Sequence, residues 1–241
     1  MLNIKITLQY DGSSFYGSQI QPNKTTVHGI LNKVLKKINI DTILNFSGRT
    51  DSGVHAFRQV VSCNIPLFWS DLKKLQITLN RMLPNSIYIR SIYKVDDSFH
   101  ARFSAKQREY RYLISTKRLT PFNSRYLSYY PNIDEKKIKQ VLKTLTGTYD
   151  FKYFSKTGSD PKSTIRIIYN IKLYKFRDIY ILKFCANSYL RSQIRMLVDF
   201  IMQISNGDLT IDDLVLQLNC KKKISTLLAP PNGLYLSKIN Y

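Results

Sequence analysis

The chain has 241 residues, 44% of them hydrophobic, and its 37 Lys and Arg stand against 16 Asp and Glu for a formal charge of +21. That length and apolar content exclude a disordered chain and allow one large domain or two of about 100 to 150 residues. A charge this far above the magnitude of about 2 to 8 that keeps a small domain soluble repels itself unless a polyanion offsets it, which makes nucleic acid the leading expected partner.

In "LNIKITLQY" the residues Leu2, Ile4, Ile6, Leu8 and Tyr10 alternate with Asn3, Lys5, Thr7 and Gln9, the period of two that predicts a half-buried strand. "YDGSSFYG" then turns the chain. After Thr25 and Thr26, either of which can cap, Val27, Ile30, Leu31, Val34, Leu35 and Ile38 recur at helical spacing. Strand patterns follow in "TILNF" and "QVVSCNI", then a helix from Ser70 to about Leu83 and a strand in "SIYIRSIYKV". Together these predict a sheet backed by helices on one face.

The second half repeats the plan without sequence repetition. "REYRYLIST" reads as a strand, and "IDEKKIKQVLKTLTG" as a helix with Gly147 as its C-terminal cap. "TIRIIYNIKLYKFRDIYILKFCAN" reads as two long strands turning near Arg177 and Asp178, followed by two helices and a closing strand at "GLYL". The boundary is expected near residue 104, giving halves of 1–104 and 105–241. No linker rich in Gly, Ser or Pro marks it.

Several chemistries are disfavoured by spacing. Cys63, Cys185 and Cys220 are odd in number and far apart, so neither a disulfide framework nor a zinc knuckle is expected, and the reducing cytoplasm is the expected compartment. No stretch has the roughly 18 apolar residues of a membrane span or a signal peptide's core. "GSSFYG" has phosphate-loop glycine spacing, but Ser18 and Gln19 stand where Lys and then Ser or Thr would be needed. No G-x-G-x-x-G joins a strand to a helix. His28, His55 and His100 are scattered, and packing is the better reading of His28. Asp51, Ser52 and His55 are too cramped for a hydrolytic triad.

The run "GRTDSGVHAF" from Gly48 is the most specific feature left. A turn built on Asp51, Ser52 and Gly53 accounts for those three residues. It does not account for Arg49, nor for a carboxylate in a basic chain with 17 tyrosines, where an anion must be held ionised by a cation. With "YDGSSFYGSQIQ" from Tyr10, "SGRTDSGVHA" from Ser47, "FHARFSAKQREYRYLI" from Phe99, "ANSYLRSQIRMLV" from Ala186 and "APPNGLYL" from Ala229, the chain resembles nearly end to end the bacterial tRNA pseudouridine synthases that act at anticodon stem-loop positions 38, 39 and 40, the TruA family.

That resemblance implies an α+β fold of two related halves, each a mostly antiparallel sheet with helices on one face, joined around a basic central cleft. It implies isomerisation of uridine: the ribose C1′ to N1 bond breaks, the base turns, and C1′ is joined to C5, with no cofactor and no metal. Asp51 maps onto the essential carboxylate. Tyr110 maps onto the ring that stacks on the displaced uracil, Arg195 onto the partner of Asp51, and Arg49 onto a wedge or phosphate ligand. Arg102, Arg166 and Arg191 fall among the expected RNA contacts. A homodimer is also implied. Ser18, Arg191, Gln193 and Met196 depart from the family's usual Trp, His, Met and Asn, which bears on the walls of the cleft and on substrate range. Two alternatives stay open: a synthase of this fold with other RNA sites, and a non-catalytic RNA-binding protein.

Overall fold

A computed structural model describes residues 1–158 and 161–241 of the chain. They fall into two units, Met1–Lys106 with Tyr235–Tyr241, and Gln107–Leu234.

The first unit opens with β1 (Leu2–Tyr10), α1 (Val27–Lys37), β2 (Asn45–Phe46), β3 (His55–Ile65), α2 (Leu72–Met82) and β4 (Ile87–Lys94). β1 lies between β3 and β4 and pairs antiparallel with both, Leu2 opposite Ile65 and Ile4 opposite Lys94. The alternation of β1 buries Ile4, Ile6 and Leu8 completely, and the helical stripes bury Leu31 and Leu35 of α1 and Leu75 and Leu79 of α2. Each such side chain contributes about 1.5 to 3 kcal/mol on leaving water. The Thr26 hydroxyl caps α1 by accepting the Gly29 N–H at 3.2 Å, and Asp71 caps α2 through the Lys74 N–H at 2.9 Å. Of "TILNF" only Asn45 and Phe46 are strand.

The second unit holds β5 (Gln107–Ser115), β6 (Ser128–Tyr129), α3 (Glu135–Leu145), β7 (Gly147–Asp150), β8 (Ile165–Phe176), β9 (Ile179–Ala186), α4 (Gln193–Asn206) and α5 (Ile211–Leu218). Its strand order is β5, β9, β8, β7, antiparallel throughout, with β6 parallel on β5. The turn from β8 to β9 falls at Arg177, whose φ is +53°. Gly147 is not the cap expected of it. Thr146 ends α3 in extended conformation, and Gly147, at φ +134°, begins β7. α4 buries Ile194, Leu197, Val198, Phe200 and Ile201, and α5 starts from a capping box between Thr210 and Asp213.

The last strand, β10 (Leu234–Asn240), returns to the first unit, where the division at residue 104 assigned it to the second. It pairs parallel with β3, Tyr235 opposite His55 and Leu236 opposite Ala56. The Tyr235 ring lies flat against His55 at 4.6 Å and Phe57 at 4.5 Å, which is why the chain end belongs there. The chain is an α+β protein with mostly antiparallel strands, as expected.

Candidate active site

Asp51 sits in the first unit, on the loop of residues 47–54 that joins β2 to β3. Both ends of this loop are fixed by side chains from elsewhere. At its start, the Ser47 hydroxyl donates to Gln59 Oε1 at 2.7 Å, and Gln59 Nε2 donates to the Gly48 carbonyl at 2.9 Å. Just before Asp51, Thr50 and Ser18 bond twice: Thr50 N–H donates to Ser18 Oγ at 2.9 Å, and Ser18 N–H to the Thr50 carbonyl at 3.1 Å. The Thr50 and Tyr10 hydroxyls share a 2.8 Å bond, and burial pushes the Tyr10 phenol up to about 12.

Glycines let the neighbouring chain come close enough. Gly17 has a φ of +92°, and a Cβ there would stand 2.8 Å from the Thr50 carbonyl oxygen. A Cβ on Gly12 would collide with the Val54 carbonyl. After Asp51, Val54 N–H donates to the Asp51 carbonyl at 3.1 Å, with Gly53 at φ +78° as the third residue of that turn requires. The motif is therefore also a structural turn, but the turn engages the Asp51 backbone.

The neighbours of Asp51 are unsuited to a triad. Ser52 Oγ donates to the Phe15 carbonyl at 3.3 Å, and buried His55 accepts the Gly12 N–H on Nδ1 at 3.0 Å. Asp11 Oδ1 also lies 3.2 Å from that nitrogen, an ion pair only if the ring is protonated; the Gly12 N–H aimed at it marks Nδ1 as an acceptor. Arg49 is exposed. Arg102 is exposed as well, in the segment after β4, with its guanidinium 5.6 Å from the Phe103 ring centre. His28 packs as expected, stacked on Phe46 at 4.9 Å.

The other expected site residues lie in the second unit. Tyr110 is buried on β5, opposite Phe184 of β9, with its ring edge-on to Tyr189 at 5.3 Å. Arg195 lies in the first turn of α4 and does not extend freely into water. Its Nε donates to the Ala229 carbonyl at 2.7 Å, and Ala229 N–H donates back to the Arg195 carbonyl at 3.1 Å. The segment it grips is itself tied down. Tyr112 OH lies 2.9 Å from the Pro230 carbonyl and 2.8 Å from Ser128 Oγ, and Asn232 Nδ2 donates to the Leu127 carbonyl at 2.6 Å. Burial drives the Tyr130 phenol up to about 12 and that of Tyr112 in the same direction, and the Arg195 charge pulls both back somewhat.

Arg191 is exposed and donates through Nη1 to the Thr157 carbonyl at 3.1 Å. Arg166, on β8 opposite Tyr149, is half-buried; Nη1 donates to the Ser163 carbonyl at 2.8 Å, and burial lowers the pKa of the guanidinium. Three of the four departures from the family pattern are buried. Gln193 and Met196 belong to the packing of α4, and Ser18 lies beside Thr50 under the Asp51 loop. Sequence reasoning marked Ser18 only as a departure from the family pattern and missed Gln59 and Tyr189; the partners of Ser18 and Gln59 are distant in the chain, and no motif position singled out Tyr189.

A family model described as tRNA pseudouridine synthase matches residues 6–104 and 141–241. The chain belongs to the tRNA pseudouridine synthase family. The two matched stretches include the Asp51 loop and Arg195, while Tyr110 lies between them. The synthase is 40% identical over 241 residues to a tRNA pseudouridine synthase A of Campylobacter jejuni subsp. jejuni serotype O:2, covering all of both chains. It is 41% identical over 234 residues to the protein of that name from Wolinella succinogenes, covering 97% of this chain and 92% of that one. The Limosilactobacillus reuteri protein of the same name is 37% identical over 251 residues, covering 100% and 97%. The synthase is an isomerase acting on tRNA uridine. None of its described helices is long and apolar enough to cross a membrane.

Proposed function

We propose that the synthase converts uridine to pseudouridine at positions 38, 39 and 40 of the tRNA anticodon stem-loop, with Asp51 as the essential carboxylate. The observation that carries this reading is the clamp on the Asp51 loop, where Ser18, Tyr10 and Gln59 fix the backbone on the side leading into the acid. Nothing in a plain surface turn calls for that much buried hydrogen bonding. A fixed anion suits a reaction in which C1′ changes partners, because less of its motion must be frozen as the transition state forms.

The bond changes balance without a co-reactant. The C1′ to N1 bond breaks with its electron pair on the base, the freed uracil turns, C5 bonds to C1′, and the proton on C5 is released as N1 takes one up. An ionised carboxylate serves attack on the ribose, attack on the base or removal of a ribose proton. In this proposal Arg195 pairs with Asp51, Tyr110 stacks on the everted uracil, and Arg49 helps hold the nucleotide out of its stack. Such stacking is worth about 1 to 3 kcal/mol per base, enough to offset much of the unstacking. Arg102, Arg166 and Arg191 contribute contacts to the tRNA body, whose affinity is salt-sensitive. The enzyme works in the cytoplasm as a homodimer.

The test is Asp51→Asn, assayed on tRNA labelled with tritium at uridine C5. The expected result is tRNA binding within about threefold of wild type with tritium release lost, an effect of about 10⁴-fold or more for a group acting at the reacting atoms. Mapping the modified positions in the same tRNA tests the anticodon assignment. Equal release by mutant and wild type would reduce Asp51 to a turn residue.

A further inference from the structure

We propose that the Tyr189 hydroxyl is a substrate contact of the synthase, donating a hydrogen bond to a carbonyl oxygen of the uracil while its glycosidic bond is broken. This rests on the reading of Tyr110 as the ring against which that uracil stacks.

Tyr189 stands on the connection between β9 and α4, within the second unit. Its ring meets Tyr110 edge to face, centroids 5.3 Å apart and planes at 85°. Its hydroxyl oxygen is buried and has no hydrogen-bond partner among the described residues. A buried hydroxyl left in that state costs about 1 to 3 kcal/mol, and phenylalanine would occupy the same space without that cost.

A loosely placed loop does not explain the orphaned group, because the backbone around it is well tied down. Asn187 N–H donates to the Ile167 carbonyl at 3.1 Å, and Asn187 Oδ1 accepts the N–H groups of Ile167 at 3.1 Å and Ser188 at 2.7 Å. On the other side, Leu190 N–H donates to Gln193 Oε1 at 2.8 Å, and the Arg191 carbonyl accepts the Lys156 N–H at 3.1 Å. The backbone on both sides of Tyr189 is held by these bonds, while the tip of its side chain has no partner among the described residues.

Two other buried side-chain atoms lack a partner among the described residues, Nε of Arg166 and Nε2 of Gln193. All three can donate a hydrogen bond. Gln193 is wholly enclosed, and Arg166 stands opposite Tyr149 of β7. Tyr189 combines a donor that has no partner among the described residues with a ring contact to Tyr110.

The chemistry suits a hydroxyl there. When C1′ to N1 breaks, the electron pair stays on the base and negative charge spreads onto O2 and O4. A donor already oriented toward one of those oxygens gains strength as the charge develops, so it favours the transition state over the bound substrate. Burial, with Cys185, Tyr110 and Glu109 adding to it, holds the Tyr189 phenol well above its ordinary pKa, so at neutral pH it keeps the proton it would share.

The experiment compares full-length wild type and Tyr189→Phe for thermal stability, tRNA affinity and single-turnover tritium release. Expected are an unchanged or higher Tm, an unchanged Kd and a rate lower by about tenfold or more. Transcripts with 2-thiouridine or 4-thiouridine at the target add a second readout. One of the two sulfur replacements should slow wild type and leave Tyr189→Phe no slower than it already is. A wild-type rate in Tyr189→Phe overturns the proposal, and so does a fall in Tm, which would mean the hydroxyl is a structural bond. Tyr110→Leu run alongside separates the two failures. If it keeps the wild-type rate, the stacking reading fails and takes this inference with it. If it loses rate while Tyr189→Phe does not, stacking stands and the hydroxyl alone is a bystander.

Discussion

Ser18 uses all three of its polar groups at the joint beneath Asp51. Its N–H and Oγ engage Thr50 as a pair, and its carbonyl accepts the His28 N–H at 3.0 Å in the first turn of α1. Ser18→Ala removes one acceptor and leaves the Thr50 N–H buried without it, which costs about 1 to 3 kcal/mol. At about 2 to 4 °C per kcal/mol for a chain of this size, calorimetry should show a clear fall in Tm. The rate of tritium release should drop further than the population of folded enzyme does, because the carbonyl side of the same pair leads directly into Asp51. His28, at that joint, makes a prediction about pH. Its pKa is lowered from 6.5 by burial against Phe46, so the unfolded chain takes up the proton first. Stability is then fully present above about 6.5 and is lost as the pH falls from there toward the lowered folded value. His28→Phe keeps the stacked ring and cannot protonate. A Tm series from pH 8 to pH 5 should fall less steeply for that variant than for wild type.

At the scale of elements, what could be read from the sequence follows length. The nine-residue alternation of β1 and the eleven-residue stripes of α1 and α3 leave repeated marks, and the structure has these elements where the pattern put them. β2 and β6 have two residues each and β7 has four, too few for any period to register; they form because a longer neighbour offers a free edge. The site divides the same way. Asp51 is marked by a dense local motif, whereas Ser18 reaches Thr50 across 32 positions and Gln59 is an unremarked polar residue in a strand. Such distant contacts have no signature in either segment alone. β10 also makes a testable case. Tyr235 is buried and lies on two rings of β3, so Tyr235→Ala should cost about 3 to 5 kcal/mol, as for other large aromatics. Hydrogen exchange should show lost protection at the β3 amides first. Unchanged protection there would mean that β10 adds nothing to the strand behind Asp51.

For the whole molecule, charge identifies the class of partner and leaves its identity open. With 37 bases against 16 acids, at least 21 bases have no acid of their own however the chain folds. That excess suits a phosphate backbone and carries no information about which uridine is chosen. Composition therefore reached nucleic acid, and the ordered motifs and the family match narrowed it to tRNA. The return of β10 to β3 has a further consequence, for synthesis on the ribosome. N-terminal domains ordinarily finish folding while the rest of the chain is still being made. Here the unit that bears Asp51 stays one strand short until residues 234–240 have been made. A ribosome that stalls before that point releases a first unit without the strand that pairs in parallel with β3.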